Sequence, residues 1–336
     1  MKVGILTFSK SPSYGAMLQC YALSAMIQKL GHTPFMIEVS LPIERGWKYK
    51  VRSFISLRNF SSFRNNYLPK YVSKNFSFDE VVIGSDQVWN PALTGDCAMD
   101  FFGKFLNADV PVFSYAASFG GNKWLFPQYN NEVTSLLKKF QGISVREKSA
   151  VPLCKKEFGV VAKCVLDPTF LLQDYSALLK GKSNGEPYIV AFKLKDPLDF
   201  RWYSLLDSIQ KKTGYEVVNI GLNTNSRFFK SISVENWLTS IYHAKAVITD
   251  SFHCMAMSII FRKQVVVVSS VLGRECRMTD LLSDLSLSQL FMGTHTQVTA
   301  DEVIDVWKKD INYGLVNERL SVLRNDSISF LKEKLQ

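Results

Sequence analysis

Four short, mostly apolar runs, at residues 80–83, 111–115, 143–145 and 164–166, each end in a polar or small turn. The turns read Gly84-Ser85-Asp86-Gln87, Ala116-Ala117-Ser118-Phe119-Gly120, Arg146-Glu147 and Asp167-Pro168-Thr169, and helical patterns come after several of them. Runs without polar alternation belong to strands covered on both faces by helices, which is the condition of a parallel sheet. Parallel connection puts all four turns along one edge, the carboxyl edge, where open α/β sheets take their ligands. Any strand-to-helix turn needs caps and glycines, and that need accounts for Ser118, Gly120 and Asp167. It accounts poorly for an arginine at 146 and a tryptophan at 89.

The same alternation opens the chain. Residues 3–8 read as a strand, 14–30 as a helix with apolar positions at Met17, Leu18, Tyr21, Ala22, Ala25, Met26 and Leu30, and 33–39 as a second strand. Gly31 stops the helix. This unit brings Ser11, Ser13, Tyr14 and Gly15 to the carboxyl edge, and with no GxGxxG it indicates no dinucleotide site. The turn-rich stretch 181–187 reads as a linker. Beyond it, strands are predicted at 188–192, 216–220 and 264–269, a strand, turn and helix over 245–261, and helices at 200–212, 234–243, 274–285, 300–309 and 315–335. For 336 residues two domains are the default. The expected organisation is α/β, with an N-terminal Rossmann-like domain over 1–180 and a C-terminal one over 188–314 facing it across a cleft. A final helix over 315–336 is expected to cross back to the first domain.

A composition of 47% apolar and 21% charged residues is that of a soluble globular enzyme, and no apolar run approaches a membrane-spanning length. The N-terminus reads as a first strand, not a signal peptide. Six cysteines, at 20, 97, 154, 164, 254 and 276, form no CxxC pair, and the four histidines never fall at metal-ligand spacing. Neither a disulfide framework nor a metal site is expected, and the expected compartment is the cytoplasm. The net charge of +10 is concentrated: between Ile43 and Lys74 eight basic residues face one acid, Glu44, with Trp47, Tyr49, Phe54, Phe60, Phe63 and Tyr67 interleaved. This basic-aromatic insertion near 43–75 suits anionic lipid at the inner face of the membrane or a phosphorylated substrate. No nucleic-acid module is visible, so nucleic acid is not an expected partner. The ordinary alternative is a solvated helical insertion whose aromatics pack down.

The stretch 245–258 carries the most suggestive chemistry. A short apolar strand turns through Asp250 and Ser251, both good N-cap residues, into an apolar helix. Unpaired backbone N–H groups at such an end attract anions, and His253 sits beside them. That imidazole suits proton donation, phosphate binding or proton acceptance from a hydroxyl. The ordinary alternative is a capped helix with a histidine satisfied by a carbonyl.

Several motifs in one order resemble the polysaccharide pyruvyl transferase family. They are Tyr14-Gly15-Ala16-Met17-Leu18-Gln19 with Tyr21-Ala22-Leu23, then Gly84-Ser85-Asp86-Gln87-Val88-Trp89-Asn90 and Tyr115-Ala116-Ala117-Ser118-Phe119-Gly120. Ser144-Val145-Arg146-Glu147, Leu166-Asp167-Pro168-Thr169, Thr249-Asp250-Ser251-Phe252-His253 and Arg277-Met278-Thr279-Asp280-Leu281-Leu282 complete the set. Each is weak alone; in order they cover nearly the whole chain. The resemblance implies a GT-B-like pair of domains and transfer of pyruvate from phosphoenolpyruvate onto two sugar hydroxyls as a ketal, in surface polysaccharide (capsule or exopolysaccharide) biosynthesis. It demands no cofactor. One departure stands out: Cys254 occupies the place where the family usually has glycine after the histidine.

Under that resemblance His253 is the expected general acid or base, and Asp86 orients an acceptor hydroxyl or acts as a base. Asp86 would otherwise bond backbone N–H groups of its own turn. Arg146 and Arg277 are expected to hold phosphoenolpyruvate, since a guanidinium suits both its anionic groups; an interdomain salt bridge is the alternative for each. Ser251 is expected to cap the helix or bind phosphate, and Tyr14, Gly15 and Trp89 to line an acceptor site, with burial the alternative for Trp89. The acceptor is a sugar, and a lipid-diphosphate-linked one would suit the basic insertion and a peripheral membrane contact. Competing functions are a nucleotide-sugar-dependent GT-B glycosyltransferase and a non-catalytic polyanion- or membrane-binding protein.

Overall fold

The structure, a computed structural model, describes residues 1–39, 58–107, 109–181, 185–194, 199–221, 232–269 and 275–336. Among these, residues 1–39, 64–172 and 321–336 form one compact unit and 58–63 with 173–320 a second. The division falls at Leu172/Gln173, ahead of the linker expected at 181–187.

The first unit is built on a seven-stranded parallel sheet. In chain order its elements are β1 (Lys2–Leu6), α1 (Tyr14–Lys29), β2 (Thr33–Ile37), the helical residues 58–67 (α2), of which 58–63 are grouped with the second unit, β3 (Tyr71–Val72), β4 (Glu80–Ile83), the short α3 (Pro91–Thr94), β5 (Val112–Ala117), α4 (Asn130–Leu137), β6 (Gly142–Val145), α5 (Ala150–Phe158) and β7 (Lys163–Cys164). The strand order is β3-β2-β1-β4-β5-β6-β7, so the direction of winding reverses between β1 and β4. Such a reversal opens a crevice outside the carboxyl ends of the two strands. Val3, Ile5, Leu23, Met26, Val82 and Phe113 form its core, and β4 and β5 are buried throughout, as both-face coverage requires.

The basic insertion lies outside the described residues from 43 to 57. Past that stretch, α2 buries Phe60 and Phe63, and β3 adds an edge strand through Met36↔Tyr71 and Ile37↔Val72, which the sequence pattern does not predict.

The second unit holds a five-stranded parallel sheet in the order β12-β11-β10-β8-β9. Its elements are β8 (Tyr188–Phe192), α6 (Phe200–Thr213), β9 (Glu216–Asn219), α7 (Val234–His243), β10 (Ala246–Thr249), α8 (Phe252–Ile260), β11 (Gln264–Ser269), α9 (Cys276–Asp284), β12 (Phe291–Thr294) and α10 (Ala300–Trp307). Here the reversal lies between β8 and β10. Ile189, Ala191, Ile248, Val266 and Val268 pack against Trp202, Ile209 and Val303 as its core. The last helix, α11 (Tyr313–Lys334), begins among the residues of this unit, and its end belongs to the first. There Phe330 and Leu331, with Leu335 beyond it, join the core, and Ser327 Oγ accepts the Leu166 N–H at 3.0 Å. Among the described residues no helix is long and apolar enough to cross a membrane.

Candidate functional site

In the first unit the motifs that looked separate in sequence meet at the reversal. β4 ends at Ile83, and Gly84 comes next with φ +116°. A Cβ on Gly84 would lie 2.4 Å from the Tyr115 carbonyl oxygen, so the chain passes β5 at a distance only glycine permits. Asp86 (φ +75°) and Ala116 (φ +51°) both take the left-handed region, at a cost of about 1–2 kcal/mol each. Hydrogen bonds hold this conformation: Ser118 N–H to the Asp86 carbonyl at 3.0 Å, Trp89 N–H to the Ser118 carbonyl at 3.1 Å, and Val88 N–H to the Asp86 carbonyl at 2.7 Å. Gly120 has φ +80°, in the left-handed region that favours glycine, while the short contact a Cβ would make there is with the movable end of the Gln87 side chain.

An ionic network fills this turn. Arg146, just past β6, donates from Nη1 to Asp167 Oδ2 at 2.8 Å and from Nη2 to Asp86 Oδ1 at 3.2 Å. Asp167 Oδ1 in turn accepts from the Thr169 backbone (3.0 Å) and hydroxyl (2.8 Å). Glu147 accepts from Ser118 Oγ at 2.9 Å and Phe119 N–H at 3.1 Å. Thr7, Gln19 and Ser85 extend the network: Gln19 Nε2 donates to Thr7 Oγ1, and Thr7 Oγ1 donates to the Ser85 carbonyl. Burial alone would lower the Arg146 pKa. The carboxylates of Asp86, Asp167 and Glu147 outweigh it and hold the guanidinium above its ordinary value.

Side-chain exposure in this network is 1% for Arg146, 0% for Asp167 and 17% for Asp86. Asp86 is therefore the member turned toward solvent, and its Oδ1 is held both by Arg146 and by the Gln87 N–H of its own turn at 2.9 Å, the backbone bond expected as its alternative role. This corrects the expectation that Arg146 presents a free fork to a carboxylate or phosphate ligand: both terminal nitrogens are engaged within the fold.

Trp89 takes the burial alternative and not the acceptor-lining role. It is fully buried, donates from Nε1 to the Phe101 carbonyl at 2.8 Å, and stacks on Phe102 with ring centroids 5.6 Å apart. No face is left for a sugar; the indole anchors the turn that carries Asp86. Asn90 caps α3 by accepting from Ala92 N–H, and the chain turns inward there. Tyr14 and Gly15 lie in the first turn of α1, beside the end of β1 and thus on the same edge, both largely buried.

In the second unit the reversal carries the histidine. Thr249 Oγ1 ties the end of β10 to β8 through the Phe192 carbonyl at 2.8 Å, and accepts from Ser251 N–H at 3.0 Å. Asp250 Oδ1 accepts from Leu194 N–H, just past β8, at 2.8 Å. Ser251 caps α8 in extended conformation, its Oγ accepting from Cys254 N–H at 3.4 Å. His253 is half-buried in the first turn of this helix. Cys254 is fully buried, and burial pushes its thiol up to about 12. The side chain that replaces the expected glycine therefore points into the core and supplies no thiolate near neutrality. Arg277 is half-buried in the first turn of α9, a helix in contact with α8.

A third cluster was not foreseen. Lys193 comes directly after β8, Asp199 caps α6, and His295 comes directly after β12, all on the carboxyl edge. His295 Nε2 lies 2.5 Å from Asp199 Oδ2 and its Nδ1 3.2 Å from the Ser269 carbonyl; the Lys193 ammonium also pairs with Asp199. Burial would raise the Asp199 pKa, but Lys193, the Trp202 N–H and His295 bring it down to about 2. The signal lay in Lys193 and Asp199 flanking a predicted strand and helix. Their partner at 295 is about a hundred residues away in the chain, beyond local pattern.

Two Rossmann-like parallel sheets, each with a built turn at its reversal, define a protein of the GT-B type. Solved structures agree. S. aureus MnaA, in a structure with UDP, is 12% identical with a TM-score of 0.54, covering 95% of this chain and 90% of that one. The UDP-GlcNAc 2-epimerase of Neisseria meningitidis bound to UDP-GlcNAc is 10% identical at 0.54, covering 100% and 99%. That of Methanocaldococcus jannaschii, in complex with UDP-GlcNAc and UDP, is 12% identical at 0.54, covering 96% and 99%. At these identities the likeness is one of fold. No curated protein matches. The family model for polysaccharide pyruvyl transferase matches residues 14–270, and the chain belongs to that family. Membership makes it a transferase of polysaccharide biosynthesis.

Proposed function

We propose that this protein moves pyruvate from phosphoenolpyruvate onto two hydroxyls of a sugar, forming a cyclic ketal. The observation that carries the proposal is a carboxylate held toward solvent by a buried arginine at the first sheet's reversal, in a member of this family. Proton transfer to C3 of phosphoenolpyruvate leaves C2 cationic. One acceptor hydroxyl adds to C2 and loses its proton; the second displaces the phosphate, which leaves with the other hydroxyl proton as inorganic phosphate. The chemistry thus needs a proton donor, a base for the hydroxyls and a cradle for phosphate.

His253 is the proposed proton donor and Asp86 the base that orients the acceptor, with Arg146 fixing Asp86. The N–H groups of α8, Ser251 Oγ and Arg277 are the proposed phosphate and carboxylate ligands. Tyr14 and Gly15 are proposed to meet the acceptor. The proposed setting is cytoplasmic, with the basic segment near 43–75 drawing the protein to a lipid-diphosphate-linked acceptor at the membrane's inner face. Incubation with phosphoenolpyruvate and a panel of sugar acceptors should release phosphate and add one pyruvyl group to one acceptor. Absence of both, together with absence of phosphoenolpyruvate binding, overturns the reading.

A second reading, nucleotide-sugar-dependent glycosyl transfer, draws on the UDP and UDP-GlcNAc complexes among the structural neighbours. Thermal shift on addition of UDP-sugars, with none on phosphoenolpyruvate, would favour it.

A further inference from the structure

A cavity of about 390 Å³ opens in the second unit along α6, between it and the start of α10 with the residues just past β12. Its volume falls in the range of small-ligand sites. Arg201, Ser204, Ser208 and Lys212 recur along one face of α6, and Thr296 and Thr299 face the cavity from the other side. Phe200 stands at the rim with 81% of its surface exposed, an unusual state for so large an apolar side chain.

The charges at this cavity are unevenly matched. Lys212 pairs with Asp301 at 2.6 Å. The Lys193–Asp199–His295 cluster, of which His295 lines the cavity, spends its single carboxylate on two nitrogen groups. Arg201 is exposed, and among the described residues its guanidinium has no ion-pair partner. A lining of hydroxyls, one exposed aromatic ring and an exposed guanidinium matches a particular chemistry. Hydroxyls exchange hydrogen bonds with a polyol, an aromatic ring covers the apolar face of a pyranose, and a guanidinium takes a carboxylate in two parallel bonds.

From this lining we propose that the cavity binds an acidic saccharide, a sugar ring bearing a carboxylate, at a site separate from the residues assigned to pyruvyl transfer. A transferase of polysaccharide biosynthesis thereby holds a charged unit of the polymer while another is modified. The inference stands on the cavity's own residues and survives failure of the pyruvyl-transfer reading.

The test is ligand-observed NMR titration of the full chain with D-glucuronate, D-glucose and inorganic phosphate. Glucuronate should bind saturably, glucose about tenfold or more weakly, and phosphate should not displace glucuronate at equal concentration. Arg201→Gln should weaken glucuronate about tenfold, leaving the glucose affinity and the thermal midpoint nearly unchanged. Phe200→Ala, which removes the ring beneath the sugar, should weaken glucuronate several-fold. His253→Ala should bind glucuronate as the parent does, which separates this site from the proposed catalytic one. Absence of saturable glucuronate binding, equal displacement by phosphate, or full binding in Arg201→Gln would each overturn the proposal.

Discussion

The two sheets reverse their winding in the same way, yet the turns built at the two reversals differ in kind. In the first unit Asp86 sits in a left-handed backbone, pinned by Arg146 and braced by Trp89, Ser118 and Glu147. In the second, His253 rides half-buried on the first turn of α8, above a turn fastened by neutral hydrogen bonds from Thr249 and Ser251 and by the Asp250 bond to Leu194 N–H. A buried ion pair that loses one partner strands a charge, whereas a half-buried imidazole can be removed at small structural cost. The first edge therefore couples function to folding, and the second separates them.

The largest effect is expected where that separation is sharpest. His253→Ala should lower turnover about 10²–10⁴-fold, the range of a lost general acid or base, while the thermal midpoint stays near that of the parent. Steady-state rates with phosphoenolpyruvate and a calorimetric scan measure the two quantities. A large fall in midpoint would show that His253 supports the fold, and would erase the contrast.

At the first edge the opposite pairing is expected. Arg146→Met leaves Asp167 buried without its cation and should cost about 3–5 kcal/mol in denaturant unfolding, with activity lost as well. Asp86→Asn keeps the shape of the turn and removes only the more exposed carboxylate. It should therefore lose activity at a much smaller cost in stability. Equal stability losses in the two variants would place Asp86 in the scaffold alone.

Strand β4 supplies its own control, because a second carboxyl, Glu80, lies at its other end. Glu80 is 4% exposed, and among the described residues its Oε1 has no hydrogen-bond partner. Burial raises its pKa to about 7 despite the nearby Lys334. The folded state thus holds a proton that the unfolded chain has released, so stability falls as pH rises from about 4.5 to about 7. The penalty is absent below that window and fully present above it, at roughly 2–3 kcal/mol. Glu80→Gln should remove this dependence: relative to the parent it gains stability at pH 8 compared with pH 4. Parallel pH profiles of the two proteins would show Glu80 to be as well satisfied as Asp86.

The comparison also explains how far the sequence could be read. Both sheets were legible because parallel strands such as Val81–Ile83 and Val265–Val268 are apolar on both faces and stand out as unbroken runs. The edge strands β3 and β12 were not, since two residues at an edge, or Phe-Met-Gly-Thr half-buried, make no such run. The turns themselves were located correctly by their polar residues. The direction each side chain takes was not readable: Arg146 turns inward to Asp167 and Asp86, and Trp89 to the Phe101 carbonyl and the Phe102 ring, partners that local pattern does not announce. Pairings across a hundred residues, such as Asp199 with His295, leave no local trace at all.

The smallest expected effect concerns Cys254, where the sequence departs from the glycine usual in the family. If this residue shaped the ligand side of the α8 turn, Cys254→Gly would change the Michaelis constant for phosphoenolpyruvate. Its side chain is instead fully buried on the core side. The substitution should then act on stability alone, costing about 1–3 kcal/mol for a glycine within a helix and the void left by the buried side chain. Turnover and the Michaelis constant should stay within about twofold of the parent. A marked change in either, with the thermal midpoint unmoved, would mean that the second edge is shaped from beneath as tightly as the first.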